Sequence, residues 1–408
     1  MYDIAVIGGG ASGFASAISA KQTNPNINVA IVEKMFRSGK KLLATGNGKC
    51  NLSNLDISEK NYHGSINAMQ IISNTPDYKE FFTDNLGVLC SFGNEGRKGG
   101  IYPRSNSANT VLNALRLKML SLGIEEICDF EVKEICPEKD GFVLKSKHSQ
   151  LEAKKIIVAC GGYAGTSFGT DGSMLRILKN MGFKTAKICP AVAPLKVNPD
   201  EIKGLKGVRI KCNVSAVSGK NILRTESGEM QFNENNLSGI CVFNLAYLFG
   251  QYEGNLRIRT DLAPDMSKEE IVNYIKDVKL KRSEFPAEEL LTGMFVKSLA
   301  VYLVKKVLGR NLNDPVKTIS ENEIIRLSDT IKNLEFEVTG CSGWQNAQAT
   351  YGGIHKDCIN KNLESVAFKG MYFCGEILDT VGDCGGYNLQ WAWSSGIWAG
   401  KKCAESLR

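Results

Sequence analysis

Tyr2-Asp3-Ile4-Ala5-Val6-Ile7-Gly8-Gly9-Gly10-Ala11-Ser12-Gly13 opens the chain with an apolar run of strand length that ends in a glycine turn. Small residues from Ala15 to Ala20 follow, and a second β-rich run, Asn28 to Val32, ends in Glu33, twenty residues after Gly13. Strand, glycine turn, helix, strand and acid in that order are the parts a dinucleotide site needs. Gly8 permits the tight turn, Gly10 lets backbone approach a diphosphate, and Gly13 allows the helix to pack close to the strand. Ala11 and Ser12 lie at the helix N-terminus, whose unpaired N–H groups face the diphosphate, and Glu33 accepts from the adenosine ribose hydroxyls. Lys34 adds a cation beside that acid.

The 408 residues are enough for two or three domains with a large core, and 43% hydrophobic with 23% charged residues is ordinary for a globular protein. No run approaches the roughly eighteen apolar residues of a membrane span, and a first strand starting at Tyr2 leaves no room for a signal peptide. A cytoplasmic protein is expected. The thirteen cysteines are single residues with no Cys-x-x-Cys pair, which argues against zinc, iron–sulfur or a disulfide framework. No metal site is expected. The net charge of +7 favours anionic small molecules or a nicotinamide cofactor and is too small to argue for nucleic acid. The basic runs Lys203 to Lys211 and Lys276 to Arg282 read as solvated faces.

Arg37 to Asn54 reads as a long polar loop, in which Gly46 and Gly48 let backbone approach a flat ligand and Lys40, Lys41 and Lys49 neutralise phosphates. Helical spacing follows over Asn109 to Leu122, and β-like runs over Glu125 to Cys136, Gly141 to Ser146 and Ala153 to Ala159. The last run enters a second glycine turn, Cys160-Gly161-Gly162. Thr166 to Gly172 is another polar glycine loop, and Ser173 to Met181 its following helix. Near Pro190 and Pro194 the texture changes to short β-like stretches within Ala191 to Val217 and Leu256 to Leu262. Helical spacing then covers Ser267 to Val278, Ala287 to Leu308 and Glu321 to Lys332.

The end of the chain returns to the first texture. Met371-Tyr372-Phe373-Cys374 is a buried-type strand leading into Gly375-Glu376, and Gly382-Asp383-Cys384-Gly385-Gly386-Tyr387-Asn388 is a glycine-rich turn before an apolar helix from Leu389 to about Cys403. The N-terminus of such a helix carries partial positive charge. That charge suits the N1/O2 edge of a flavin, which gathers negative charge on reduction, and selects FAD over NAD as the first-site ligand.

These residues carry a family likeness. The Gly8-x-Gly10-x-x-Gly13 turn with Ala17 and Glu33, the loop Thr45-Gly46-Asn47-Gly48-Lys49-Cys50-Asn51, and Cys384-Gly385-Gly386-Tyr387-Asn388-Leu389-Gln390 resemble the BaiN/RdsA family of NAD(P)/FAD-dependent flavoproteins. Pro190 to Leu195 and Gln345 to Gly353 extend the likeness over nearly the whole chain; Lys49 stands where relatives often have arginine. The resemblance implies an α/β fold: a glutathione-reductase-type Rossmann FAD domain built from both chain ends, with an inserted β-barrel-like and helical domain. On this reading residues 1–190 and 342–408 form the FAD domain. Residues 191–341 form the substrate domain, β-rich over 191–265 and helical over 266–332.

The expected FAD contacts are Gly8, Gly10, Ala11, Ser12, Gly13, Glu33, Lys34, Lys40, Asn51, Val132, Gly375, Glu376, Asn388 and Leu389. Val132 enters from the resemblance alone, and Glu376 takes a ribityl hydroxyl by analogy with related flavoproteins. Tyr387 is the best-placed proton donor by motif position and equally a packing wall. Cys50, Cys160 and Cys384 fall in loops on the same side, and His355 reads as structural. No catalytic residue is assigned. The family has branches resembling reductases of 3-oxo-4-ene or 3-oxo-4,6-diene bile acid intermediates and aminoacetone oxidases. The expected activity is NAD(P)H-dependent reduction of an activated carbon–carbon double bond in an apolar conjugated ketone. The alternatives are an oxygen-using amine oxidase and a flavoprotein acting on RNA, the latter not favoured.

Overall fold

The computed structural model describes residues 1–93, 99–252, 254–309 and 311–407. It divides into a unit of Met1–Pro190 with Trp344–Arg408 and a second unit of Ala191–Gly343. The first unit begins with β1 (Tyr2–Ile7), α1 (Ala11–Thr23), β2 (Val29–Val32), α2 (Lys40–Ala44) and α3 (Ala108–Ser121). It continues through β3 (Glu125–Ile127), β4 (Glu134–Glu138), β5 (Gly141–Lys145), β6 (Gln150–Val158) and α4 (Ser173–Asn180). The second unit holds β7 (Leu195–Val197), β8 (Arg209–Ser218), β9 (Asn221–Phe232), β10 (Asn236–Ser238) and β11 (Leu256–Asp261). Helices α5 (Lys268–Lys281), α6 (Lys297–Leu308) and α7 (Glu321–Lys332) and strand β12 (Leu334–Cys341) complete it. The chain then re-enters the first unit with β13 (Met371–Phe373) and α8 (Tyr387–Glu405).

The main sheet runs β3-β2-β1-β6-β5-β4, with β13 also against β6. β1 lies parallel to β2 and β6, Val6 standing opposite Ile31 and Ile157. Ile4, Ala5 and Val6 are fully buried, as a parallel strand covered on both faces must be. β6 changes partners along its length: Gln150 to Ala153 pair antiparallel with β5, and Ile156 to Val158 pair parallel with β13. The two ends of the sequence therefore share one sheet.

They also share a helix contact. α1 is made of small residues buried nearly all round, and α8 lies against it through Gly396 and Gly400. A Cβ at Gly396 would stand 3.0 Å from that of Ala15, and one at Gly400 would overlap the Ser16 carbonyl. Ser19 Oγ donates to the Ile397 carbonyl at 2.8 Å across the same contact. Only glycine permits this approach.

The expected loop from Arg37 to Asn54 is not uniform: it contains α2 and a tight turn over Thr45–Gly48. The run Glu125 to Cys136 splits into β3 and β4.

In the second unit, β7-β10-β9-β8-β11-β12 close into a six-stranded antiparallel barrel. Closure depends on β12, which follows the helices, so the β part is not confined to 191–265. Phe232 and Phe336 meet edge-on inside it, centroids 5.9 Å apart. Helices α5 and α7 begin with reciprocal capping boxes, Ser267 with Glu270 and Ser320 with Glu323. The helix expected over Ala287 to Leu308 is broken into a single turn, Ala287–Glu289, and α6. Gly293 sits in the break, where an added Cβ would come within 2.6 Å of the Tyr274 hydroxyl. Among the described residues no helix is long and apolar enough to cross a membrane.

The α1–α8 contact makes a sign-reversed prediction. Gly→Ala inside an exposed helix stabilises by about 1 kcal/mol. Gly400→Ala should instead destabilise the protein by about 1–3 kcal/mol, because the methyl meets backbone that cannot move aside. Urea denaturation followed by tryptophan fluorescence reads this out, and an unchanged or raised midpoint would show the contact to be looser than described.

Candidate dinucleotide site

At the carboxyl ends of β1, β2 and β6 the first unit opens into a cleft of about 1360 Å³, mouth included. Ligands of open α/β sheets occupy this edge. Its walls are the Gly8–Ser12 turn, Glu33 to Met35, Lys40 to Leu42, Phe130 to Val132, Ala159 to Gly162 and Phe168 to Met174, with Glu376, Asn388, Leu389, Trp391 and Ala392. The glycines divide the work. Gly8 has φ +108°, and a Cβ there would lie 2.7 Å from the Ala159 carbonyl oxygen; one at Gly13 would overlap the Gly8 carbonyl. A Cβ at Gly10, in contrast, would meet no atom within 4 Å. Backbone is thus packed tight behind the turn and bare on the cleft side, the cradle a diphosphate requires.

The 13-residue α1 after Gly10 and the 19-residue α8 after Gly386 begin at this cleft without a side-chain cap or an acid in the first turn, as does the five-residue α2 after Gly39. Their first N–H groups have no intrahelical acceptor and carry the positive end of the helix dipole. Glu33 lies at the end of β2, one carboxylate oxygen accepting from Gly9 N at 2.8 Å and the other from Met35 N at 2.9 Å. The acid therefore ties the glycine turn to β2, and each carboxylate oxygen keeps a further lone pair beyond these two bonds.

The cations are held by neighbours. Lys34 pairs with Asp171 at 3.0 Å, and the Lys40 ammonium stands 4.4 Å above the Phe36 ring. Burial works against ionisation of Asp171, but hydrogen bonds from Ser173 and the pairing with Lys34 hold its carboxyl down at about 2. Lys41 reaches Glu376 at 2.8 Å. The other Glu376 oxygen accepts from Thr350 Oγ1 at 2.7 Å. Thr350 is fully buried in the Gln345–Gly353 stretch; the sequence reading used that stretch for its likeness and gave Thr350 no role. A threonine buried to that degree needs polar partners, and that was its only signal.

Three of the expected contacts do not line the cleft. Gly13 packs α1 onto the strand turn. Gly375, at φ +76°, donates to Ser395 Oγ at 2.8 Å and has Ser12 where a side chain would go. Asn51 packs its side chain against Gly100 and Gly386, behind the turn that starts α8. The end of that loop, residues 51–54, buttresses the turn: Asn54 Nδ2 donates to the Gly385 carbonyl at 2.9 Å, and Trp393 Nε1 donates to the Leu52 carbonyl at 3.2 Å. Lys49 is exposed and outside the cleft, so its role as a phosphate partner is not seen. Asn388 lines the cleft while its side chain clamps the preceding turn, accepting from Gly382 N at 2.9 Å and donating to Gly382 O at 2.7 Å. Val132 and Leu389 supply apolar wall.

Tyr387 packs its ring edge-on against Tyr62, centroids 6.1 Å apart, and is not part of the cleft wall; its position is that of a packing residue. His355 accepts from Asp357 N as the cap of a short turn. The cysteines are free thiols, and burial pushes Cys50 up to about 12, a hydrogen bond with Thr45 only partly offsetting it. Cys160 lines the cleft, is also pushed up by burial, and donates to the Ile7 carbonyl at 3.1 Å. Burial disfavours the thiolate of both.

Known proteins share this architecture over the full chain. The chain is 34% identical over 417 residues to the 3-dehydro-bile acid delta(4,6)-reductase of Clostridium scindens, covering 99% of this chain and 100% of that one. It is 27% identical over 415 residues to the ribosomal RNA dihydrouridine synthase of Haemophilus influenzae, covering 98% of this chain and 97% of that one. Among solved structures, the 3-ketosteroid delta1-dehydrogenase of Sterolibacterium denitrificans superposes with a TM-score of 0.51 at 13% identity, covering 99% of each chain, a likeness of fold. The model of the HI0933-like protein Rossmann domain matches residues 2–402, and the chain belongs to that family.

Proposed function

We propose that this chain is an FAD-dependent oxidoreductase that reduces a carbon–carbon double bond conjugated to a carbonyl, with NAD(P)H as electron donor and a steroid-like ketone as substrate. The observation that carries the cofactor is the convergence on one cleft of two uncapped helix N-termini and of two acids, Glu33 and Glu376, from opposite ends of the chain. Bound there, FAD would supply the hydride chemistry that links a nicotinamide donor to the β carbon of the enone.

The chain's own residues supply position and charge. Gly10, Ala11 and Ser12 present N–H groups to the diphosphate, and Glu33 accepts from the adenosine ribose. Glu376 accepts from the ribityl chain. The first turn of α8, at Asn388 and Leu389, carries partial positive charge that would suit the electron-gathering edge of the ring, and Asn388 clamps the turn before it. The sequence carries no second dinucleotide fingerprint, so the nicotinamide is read as a transient visitor, not the tenant of its own domain. The second unit is read as the substrate domain. The steroid-like substrate rests on the 34% identity to the bile acid reductase along the whole chain.

A second reading is favoured by the relative named for ribosomal RNA dihydrouridine. Dihydrouridine is uridine saturated at a double bond conjugated to a ring carbonyl, so both relatives' names describe one type of chemistry on different scaffolds. Against RNA as the substrate, four of the eight cations in the basic runs of the second unit already hold acid partners: Lys206 pairs with Glu234, Arg209 with Glu229, Lys276 with Glu321 and Lys281 with Asp277. An RNA-binding face keeps such charges for phosphates.

Glu33→Ala should weaken FAD binding by about 1–3 kcal/mol, measured by flavin fluorescence during titration, the range for hydrogen bonds to a charged group. A wild-type chain that cannot be loaded with FAD would sink the cofactor assignment.

Loaded with FAD and pre-reduced by NADH or NADPH without air, the protein should be reoxidised by a 3-oxo-4-ene or 3-oxo-4,6-diene steroid. A deuteride-labelled nicotinamide should leave one deuterium on the former β carbon. Reoxidation by ribosomal RNA with formation of dihydrouridine, and none by steroid, would move the function to the second reading. Rapid peroxide production with an aminoketone in air would make the protein an oxidase.

A further inference from the structure

The cleft contains a closed polar network around Glu376. Thr350 has one hydroxyl proton and two lone pairs. Its oxygen accepts from Tyr163 N at 2.8 Å and from Ala164 N at 3.0 Å, which uses both lone pairs. The proton then has one acceptor left, Glu376 Oε1 at 2.7 Å. Thr350 is fully buried, so no water competes for that bond. Gly162 leaves room for the pair: a Cβ there would lie 2.7 Å from Thr350 Cβ and 2.9 Å from Glu376 Oε1. On the other side, Glu376 Oε2 meets Lys41 Nζ at 2.8 Å, with both side chains about a quarter exposed, 25% for Lys41 and 21% for Glu376. The backbone of Lys41 is anchored because Leu42, next to it on α2, is buried, while its long side chain is free to swing.

The two contacts to Glu376 differ in kind. The Thr350 bond is buried and fixed in direction by the backbone of another loop, so it sets the orientation of the carboxylate. The Lys41 contact is a partly solvated ion pair of the sort worth little on its own. A diphosphate offers Lys41 more charge than one carboxylate does.

Resting on the FAD reading above, we propose that Lys41 and Thr350 are cofactor-site residues with separate tasks on one acid. Thr350 is a positioning residue: it holds Glu376 as an acceptor for a polyol hydroxyl of the ribityl segment. Lys41 is a binding residue: it exchanges Glu376 for the diphosphate, and Glu376 keeps its charge for the hydroxyls it then accepts from. The exchange is an ion-pair swap in which no bond breaks and no proton moves.

FAD and ADP separate these tasks, since both carry the diphosphate and only FAD carries the ribityl chain. FAD is titrated into the full-length protein by flavin fluorescence, and ADP is measured as a competitor, for wild type, Lys41→Met, Thr350→Val and Thr350→Ser. Thermal midpoints are recorded alongside. Lys41→Met should raise the dissociation constants of FAD and ADP together, by roughly 10-fold or more, as expected for loss of a charge-assisted contact. Thr350→Val should weaken FAD by a similar factor and leave ADP within about twofold, and Thr350→Ser should restore FAD binding. If Thr350→Val weakens ADP as much as FAD, or Thr350→Ser fails to rescue, Thr350 is merely structural and its half of the proposal is overturned. If Lys41→Met leaves both ligands unchanged, the Lys41 half is overturned. A wild-type protein that binds no FAD overturns the underlying functional reading instead, so the two failures are distinguishable.

Discussion

The approach of α8 to α1, with Gly396 and Gly400 set against the backbone of Ser12 and Ser16, is the constraint from which the geometry of the first unit follows. Hydrophobic pressure alone would bring two apolar helices together at the usual side-chain spacing. Glycine on one helix and alanine or serine on the other remove that spacing. The result is that the turn before α8 and the turn before α1 open onto one cleft, although they are separated by more than three hundred residues of chain. β13 enters the sheet beside β6 for the same purpose, and the two contacts reinforce each other.

Charge in the cleft is balanced locally. Lys34 pairs with Asp171 and Lys41 with Glu376; Asp171 also accepts from Ser173 N two residues on, and the half-buried Glu376 accepts from Thr350 of a distant segment. Paired this way, the side chains avoid the penalty of an isolated charge in a partly dry site. Backbone adds positive character at the first turns of α1 and α8, which carry no acid to cancel it. Such charge does not titrate and costs no side-chain entropy to hold in place, which suits a site meant to receive an anion.

The second unit solves a different problem. Its barrel has no free edge, because β12 returns after three helices to pair with both β7 and β11. A closed sheet of this kind protects its backbone from edge-to-edge association. It also shows why this part was hard to read along the chain. β9 alternates outward polar residues with half-buried Arg224 and Glu226, so its pattern lacks the apolar period that marks a strand. The helical pattern over Ala287 to Leu308 is interrupted between Glu289 and Lys297, where Gly293 lies close to the Tyr274 hydroxyl.

The opening βαβ unit, the strand into Gly375, the helix over Ala108–Ser121 and the family itself were legible in the sequence, because each rests on local order: apolar runs, glycine where φ must be positive, and residues at fixed offsets. Local order also named Glu33 and Glu376 as acids worth watching. It did not say that Asn51 and its loop would stand behind the turn of α8 instead of on the cleft wall, that Lys49 would face solvent, or that Tyr387 would pack on Tyr62. Nor did it single out Thr350, whose part depends on two N–H groups and a carboxylate brought from two other places in the chain. Hydrogen-bond partners and burial are properties of neighbours in space, and the sequence determines those neighbours only through the completed fold.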